Sequence, residues 1–290
     1  MPKLGDISPC IIMGGMSDDP KPQKQKPWSD IDLNRWRDYD EIKTDSLWLY
    51  NNRASGDGHR LDYHGNYIPQ LATQLFTRYS KKDEIVLDLF LGSGTSAIEA
   101  VRLDRRCIGV ELKPELVAYV RSKIDSRQLD NRIHLLQGNS AEPAVVESVQ
   151  HTLRLMQAEL AQLLILHPPY ADIIRFSDNT DDLSNATTTE AFLDGFQAVA
   201  KNGYDLLAPG RFAALIIGDK YAKGELIPLG FWCMERMNRV GFKTKAIIVK
   251  NIEGNEKGKG KDANLWRYRA LAGGYYIFKH EYVIIFFKPR

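Results

Sequence analysis

The sequence predicts an α/β fold built on a mostly parallel sheet, because short apolar runs alternate with stretches of helical period. From about residue 84 onward this alternation is continuous and defines seven strands. The predicted strands are 85–91, 107–112, 133–138, 163–167, 212–219, 246–250 and 282–288. A chain of 290 residues with 43% hydrophobic content can bury one large core. We therefore expect one α/β domain with appendages.

The connections between these strands predict helices over 95–103, 114–127, 141–159, 188–207 and 227–240. Pro114 suits the first turn of the second helix, where its missing amide proton costs nothing. No convincing helix separates the last two strands. An antiparallel pair at one edge of the sheet is therefore expected.

Composition limits the classes of function. With 39 Lys and Arg against 37 Asp and Glu, the net charge is +2, so contacts to a polyanion must come from local patches. No apolar run approaches the roughly 20 residues that span a bilayer, which favours a cytoplasmic, unsecreted protein without membrane contact. Cys10, Cys107 and Cys233 are scattered and show no zinc-ligand or disulfide spacing, so no metal site is expected.

A glycine-rich loop follows the first predicted strand, in the sequence Asp-Leu-Phe-Leu-Gly-Ser-Gly-Thr over residues 88–95. Gly92 and Gly94 permit a tight turn and leave room for a ligand, to which the next helix presents its first amides. Glu111 ends the following strand, where a carboxylate can accept from two ribose hydroxyls. The loop therefore predicts an adenosine-type cofactor, and by itself it also fits a nicotinamide or flavin site.

Asn139 follows the third predicted strand, where a side chain would meet the adenine amino group. Capping of the next helix is an equally good interpretation, because asparagine is a favoured cap. The cofactor-binding candidates of this half of the site are Asp88, Phe90, Gly92, Ser93, Gly94, Thr95, Glu111, Leu112, Asn139 and Ser140.

A second motif ends the fourth predicted strand, where an apolar run stops at His167-Pro168-Pro169-Tyr170. Two prolines stiffen the turn by fixing φ, so the carbonyl of Pro168 and the side chains of His167 and Tyr170 are held at the carboxyl edge of the sheet. Open α/β sheets bind their ligands at this edge. The motif therefore predicts a second functional element beside the cofactor loop.

These two motifs resemble those of the amino-group DNA methyltransferases, in which Asp, Asn or Ser precedes Pro-Pro-Tyr or Pro-Pro-Phe. Residues 64–70 are similar to the family's segment that closes over the methionine end of the cofactor, which adds Tyr67 and Pro69 to the cofactor-binding candidates. Residues 218–220 and 280–288 resemble its later core strands. The resemblance implies a seven-stranded Rossmann-like class I S-adenosylmethionine-dependent methyltransferase fold with an antiparallel edge strand.

The resemblance also implies the catalytic roles. The target amine would donate one hydrogen bond to the side chain at His167 and one to the carbonyl of Pro168, within a turn completed by Pro169, while Tyr170 stacks on the base. His167 departs from the family pattern. Neutral imidazole can accept a hydrogen bond and imidazolium cannot, so we expect the rate to fall as pH drops through the titration of His167.

Residues 1–45 are rich in Pro, Lys, Asp and Gln and show little periodicity, so they are expected to form an irregular arm before a catalytic domain, 46–290. Family members often carry a separate recognition domain for which this chain has no room, so recognition is expected of loops at about 172–190 and 251–274. Basic residues interleaved with aromatics can contact phosphates and stack on bases. The nucleic-acid-binding candidates are Lys257, Lys259, Lys261, Arg267 and Arg269.

The expected function is methyl transfer from S-adenosylmethionine to an exocyclic amino group in DNA. Cytosine N4 is favoured over adenine N6, because the catalytic turn lacks Asp or Asn. An RNA base methyltransferase and a cofactor-binding subunit without turnover are the alternatives. The resemblance further implies a flipped base or single-stranded DNA as substrate, a cognate restriction or defence partner, a homodimer, and a prokaryotic or phage-encoded protein near the nucleoid.

Overall fold

The computed structural model describes residues 28–54, 59, 65–129, 131–174, 176–252 and 263–290. Ten strands are present in this part of the chain. They are β1 (Leu47–Trp48), β2 (Ile85–Asp88), β3 (Arg106–Glu111), β4 (Ile133–Gln137), β5 (Ala161–Leu166), β6 (Leu207–Ile217), β7 (Lys220–Ala222), β8 (Glu225–Ile227), β9 (Lys243–Asn251) and β10 (His280–Phe287). Eight of them form the main sheet, and β7 pairs with β8 in a small hairpin.

The main sheet has the strand order β1-β9-β10-β6-β5-β2-β3-β4. Every pairing is parallel except those of β10, which runs antiparallel to both β6 and β9. The predicted mostly parallel α/β class is thereby confirmed, together with the antiparallel pairing of the last two strands. The two-residue strand β1 was too short to show a period in the sequence, and it extends the sheet beyond β9.

Seven α-helices surround the sheet in the described residues. They are α1 (Pro69–Tyr79), α2 (Thr95–Arg102), α3 (Pro114–Lys123), α4 (Pro143–Leu155), α5 (Thr189–Leu206), α6 (Leu229–Val240) and α7 (Ala263–Gly273). Proline begins α1, α3 and α4, as expected of a residue without an amide proton. The sequence analysis assigned no helix to α1, which lies partly in the predicted closing segment.

Part of the predicted recognition loop 251–274 is helical, because Ala263–Gly273 form α7. Its sequence, Ala-Asn-Leu-Trp-Arg-Tyr-Arg-Ala-Leu-Ala-Gly, consists largely of residues that favour helix and contains no proline. The flanking lysine-rich and glycine-rich composition concealed this local preference. Residues 253–262, including Lys257, Lys259 and Lys261, lie outside the described residues.

The described end of the predicted N-terminal arm packs against the catalytic domain. The ring of Trp28 meets that of Phe212 edge-on with centroids 5.3 Å apart, and the side chain of Gln74 on α1 accepts a hydrogen bond of 2.8 Å from the amide of Lys43. This part of the arm therefore belongs to the folded domain. Within the described ranges, no helix combines the length and apolar character that a bilayer crossing requires.

Two apolar layers cover the faces of the sheet. Alternate residues of β5 serve different layers, because successive side chains of a strand point to opposite faces. Leu164 packs in one layer with Phe192 and Phe196 of α5, and Ile165 packs in the other with Leu71 of α1. All of these side chains are fully buried. The helices on both faces leave the carboxyl ends of the strands as the place for a site.

Gly94 joins β2 to α2 and is expected to be essential for packing. Its φ is +90°, and a Cβ atom there would lie 2.7 Å from Cγ1 of the buried Val120 on α3. We expect Gly94→Ala to lower the free energy of unfolding by about 2–4 kcal/mol, from backbone strain and overpacking together. Gly224→Ala is the matched control, because Gly224 has φ +85° and nothing within 4 Å of the added atom. Equal losses for the two variants in urea unfolding would contradict the packing argument.

Candidate active site

A cavity of about 1240 Å³ lies at the carboxyl ends of the parallel strands. Gly92 of the predicted cofactor loop and Pro168 of the predicted catalytic turn both line it. Their proximity follows from the sheet, since β2 and β5 are adjacent and parallel with Asp88 opposite Ile165. The two motifs that the sequence singled out therefore share one cavity.

Glu111 lines this cavity. Its carboxylate accepts hydrogen bonds from the amides of Gly92 at 2.8 Å and Lys113 at 2.9 Å. Burial raises the pKa of Glu111 to about 7, although the two amides and the ammonium of Lys113 act in the opposite direction. Because each carboxylate oxygen has two lone pairs, Glu111 can still accept from a ligand while it shapes the loop.

Asp88 stabilises the cofactor loop without lining the cavity. Its carboxylate accepts from the amide of Phe90 at 2.9 Å and from the hydroxyl of Ser96, which also bonds the phenol of Tyr67 at 2.6 Å. Burial raises the pKa of Asp88 to about 6. The hydroxyl of Ser93 donates to Oδ1 of Asn66 at 2.5 Å. These bonds tie the closing segment to the loop.

The predicted cofactor-binding residues fall into two groups by position. Those that line the cavity are Tyr67, Phe90, Gly92, Glu111, Leu112, Asn139 and Ser140. Those behind its surface are Pro69, Asp88, Ser93, Gly94 and Thr95, all of them buried. The second group supports the loop rather than facing the cavity, so its effect on a cofactor is indirect.

Asn139 does not cap the next helix, because α4 begins at Pro143 and its N-cap is Glu142, which forms no side-chain cap. Oδ1 of Asn139 accepts a hydrogen bond of 3.0 Å from the amide of Ala141 in the turn before α4. The residue also lines the cavity, and its contact with adenine stays a prediction. The neighbouring hydroxyl of Ser140 donates to the carbonyl of Leu89 at 2.7 Å. The bond between Ser140 and Leu89 links the segment that follows β4 to the segment that follows β2, although β3 lies between these strands in the sheet.

The four predicted catalytic residues line the same cavity. The ring of His167 meets Tyr67 and Tyr170 edge-on, with centroids 5.5 and 6.0 Å away. Burial lowers the pKa of His167 to about 4, against the raising effect of Glu281 and with a further lowering effect of Lys250. His167 is therefore neutral at pH 7 and keeps a nitrogen lone pair that can accept a hydrogen bond.

A buried ion pair that the sequence analysis did not identify supports the catalytic turn. Lys250 on β9 and Glu281 on β10 are opposite each other in the sheet, with Nζ 2.8 Å from Oε1. The second carboxylate oxygen accepts a hydrogen bond of 2.6 Å from the phenol of Tyr170. Burial acts to raise the pKa of Glu281, but Lys250 holds that pKa below its ordinary value. The available signal was Glu281, a charged residue directly before the apolar run 282–287 of β10.

Five aromatic residues surround the outer part of the cavity and are here called the aromatic rim. They are Tyr221, Tyr275, Tyr276, Phe278 and His280. Tyr221 of the β7–β8 hairpin stacks on Phe278 with centroids 5.0 Å apart and planes at 18°. Tyr276 is 85% exposed, so its face is open to solvent. No motif or period in the sequence indicates this group.

The predicted recognition elements are only partly near the cavity. From the loop at 172–190, Ile173, Phe176 and Asp182 line it. Arg267 and Arg269 lie on α7 and are absent from its lining, so their contact with nucleic acid stays a prediction. Across the described ranges, His, Cys, Asp and Glu form no group of three that could hold a metal ion.

Removing the carboxylate of Glu281 should destabilise the fold, because Lys250 is 2% exposed and would lose its counter-charge. We expect Glu281→Gln to lower the free energy of unfolding by about 3–5 kcal/mol in urea unfolding. The double variant Lys250→Met with Glu281→Gln removes both charges and keeps an amide oxygen for Tyr170, so it should recover most of that loss. A double variant as unstable as the single one would refute the uncompensated charge as the cause.

Comparison with protein families gives two matches. Residues 16–122 match the family model described as DNA methylase, and residues 73–192 match one described as conserved hypothetical protein 95. The type II methyltransferase M.MjaII of Methanocaldococcus jannaschii is 33% identical over 70 residues. That match covers 23% of this chain and 13% of the relative.

Two solved structures are similar in outline. TrmN from Thermus thermophilus is 16% identical, with a TM-score of 0.48 over 79% of this chain and 51% of that one. A methyltransferase from Pyrococcus furiosus is 15% identical, with a TM-score of 0.46 over 79% of this chain and 88% of that one. The DNA methylase match covers residues 16–122, and the curated relative is matched over 70 residues. Over these segments the chain is similar to DNA methyltransferases.

Proposed function

We propose that the chain transfers a methyl group from S-adenosylmethionine to an exocyclic amino group in DNA, with cytosine N4 preferred over adenine N6. One observation carries the proposal. Glu111 and the His-Pro-Pro-Tyr turn line a single cavity. A cofactor held by the first element would therefore face a base held by the second.

The cavity residues fit S-adenosylmethionine, which is the cofactor of the amino-group DNA methyltransferases that the chain resembles. Glu111 is fixed by two amides and has lone pairs left for both ribose hydroxyls. Phe90 and Leu112 supply apolar wall beside it. Gly92 has φ +56° and lines the cavity, where a side chain would intrude. When bound, S-adenosylmethionine supplies an activated methyl group, so the protein has mainly to align the acceptor.

The catalytic turn can align an amine. A neutral ring nitrogen of His167 and the carbonyl of Pro168 can accept the two N–H groups, which directs the nitrogen lone pair toward the methyl donor. The ring of Tyr170 is held by Glu281 and can stack on the base. A base inside a duplex cannot enter this cavity, so the substrate is a flipped base or a single strand.

The aromatic rim supports a nucleic-acid substrate. Bases stack on aromatic side chains whatever their identity, and the exposed Tyr276 stands beside the cavity that would take the target base. The same rim would accept single-stranded RNA, which keeps an RNA base methyltransferase as the second candidate. A restriction or defence partner and a homodimer are further proposals drawn from the family.

Methyl transfer from tritiated S-adenosylmethionine to DNA and RNA, followed by nucleoside analysis, tests the proposed function. We expect N4-methylcytosine in DNA, with single strands the better substrate. N6-methyladenine in DNA would correct the base, and label confined to RNA would overturn the DNA assignment. Cofactor binding without transfer to either polymer would indicate a binding subunit that lacks turnover.

Variants of His167 test its role as an acceptor. His167→Asn supplies an amide oxygen in the family's position, so we expect methyl transfer within about tenfold of the original rate. His167→Leu removes the acceptor and should lower kcat by about 10²-fold or more. Both variants should bind S-adenosylhomocysteine normally in calorimetry. Full activity of His167→Leu would show that the ring does not hold the amine.

The pH dependence of the same reaction separates His167 from other titrating groups. Because its pKa is about 4, the ring stays neutral from pH 7 to about 5, and imidazolium without an acceptor forms only below that. We expect the ratio of kcat for the original chain to kcat for His167→Asn to be constant above about pH 5 and to fall toward pH 4. Effects of Asp88 and Glu111 cancel in this ratio. A fall between pH 7 and 6 would contradict a buried neutral ring.

Truncation of the aromatic rim should weaken single-strand binding. Tyr276→Ala removes an exposed ring beside the cavity, and loss of one base stack is worth about 1–3 kcal/mol, or roughly 5- to 150-fold in Kd. Fluorescence anisotropy with a labelled oligonucleotide at fixed salt measures this change. Tyr119→Ala is the control, because Tyr119 lies on α3 outside the cavity lining. Equal affinities for the two variants would remove the rim from the interface.

A further inference from the structure

Arg53 is a cavity residue to which the proposed mechanism assigns no role. It lines the cavity, and its Nη1 donates a hydrogen bond of 3.1 Å to the carbonyl of Asn66. Its Nε and Nη2 are buried and have no hydrogen-bond partner among the residues that the structure describes. Buried donors of a charged group are costly when unpaired, so they indicate a ligand that would complete them.

The neighbouring carboxylate of Glu281 does not accept the missing hydrogen bonds of Arg53. Glu281 lies close enough to act on the pKa of Arg53, but its two oxygens already pair with Lys250 at 2.8 Å and with Tyr170 at 2.6 Å. Burial lowers the pKa of Arg53, yet a guanidinium stays charged in proteins. The cavity therefore contains a cation whose paired anion is not among these neighbours.

The geometry of the two unpaired donors of Arg53 indicates which kind of anion can bind there. Nε and Nη2 form one edge of the planar guanidinium, and their two N–H groups point the same way. Such a fork matches the two oxygens of a carboxylate in a bidentate pair. A backbone phosphate of nucleic acid would stay at the mouth of the cavity, whereas these two nitrogens are buried. A small carboxylate inside the cavity fits better.

The position of Arg53 identifies which carboxylate. Asn66, which accepts from Arg53, also accepts from Ser93 in the cofactor loop, and Arg53 is near enough to His167 to lower the pKa of that ring. Arg53 thus lies between the cofactor loop and the catalytic turn. With the ribose at Glu111 and the sulfonium facing the catalytic turn, the amino-acid part, which is bonded to the same sulfur, would lie in this region of the cavity. We propose that Arg53 binds the carboxylate of the methionine part of the cofactor, an inference that rests on the proposed function.

Calorimetry with two cofactor analogues tests this proposal without any methyl transfer. S-adenosylhomocysteine carries the carboxylate, and 5′-methylthioadenosine lacks the whole amino-acid part. We expect Arg53→Gln to weaken S-adenosylhomocysteine binding by about 10- to 100-fold and to leave 5′-methylthioadenosine binding unchanged. Arg53→Lys keeps the charge and loses the fork, so its affinity should fall in between.

Two results would overturn the proposal. An equal loss for both analogues would make Arg53 a structural residue, and weakened oligonucleotide binding with unchanged S-adenosylhomocysteine binding would assign it to a phosphate. Should Arg53→Gln fail to fold, the same pair of titrations on Arg53→Lys gives the comparison. Failure of the unaltered chain to bind either analogue would instead refute the proposed cofactor, so the two failures are distinguishable.

Discussion

The parallel pairing of β2 with β5 is the constraint on which the whole site depends. Each strand ends in a motif that is incomplete alone, and the register that sets Asp88 opposite Ile165 makes the next residues of both strands neighbours. The apolar layers on both faces fix this register, because a shift of one residue would exchange the side chains of the two faces. The chemistry at the sheet edge is therefore a consequence of core packing.

The pKa values of two buried carboxylates, Glu111 and Glu281, are shifted in opposite directions in this arrangement. Glu111 is surrounded by amides and has its pKa raised by burial, so it acts mainly as a hydrogen-bond acceptor that shapes the loop. Glu281 is held ionised by Lys250 and uses that charge to fix Tyr170. The antiparallel position of β10 between β6 and β9 makes this ion pair possible. It brings Lys250 of β9 and Glu281 of β10 opposite each other, beneath the turn that follows β5.

The sequence was sufficient for the sheet class and for both motifs, because strand periodicity and the carboxyl-edge rule are local signals. It did not separate the residues that face the cavity from those that support it. Asp88 and Gly94 carry a strong motif signal, but their contacts lie behind the loop and come from Ser96 and Val120.

Other features of the site depend on contacts between segments that are distant in the sequence. No periodic pattern in the sequence reveals such contacts. The ion pair of Lys250 and Glu281 and the aromatic rim arise where β9, β10 and the β7–β8 hairpin meet. The unpaired edge of Arg53 comes from the segment between β1 and α1. Helix α7 was missed for a different reason, since its helix-favouring residues follow a glycine-rich and lysine-rich stretch.

A crystal structure of the chain with S-adenosylhomocysteine tests the central claim most directly. The account predicts that the ribose lies at Glu111 and that the sulfur faces the carbonyl of Pro168, leaving room for an amine at about 3–3.5 Å from the methyl position. A cofactor bound outside this cavity, or in it with the adenosine at His167, would contradict the account.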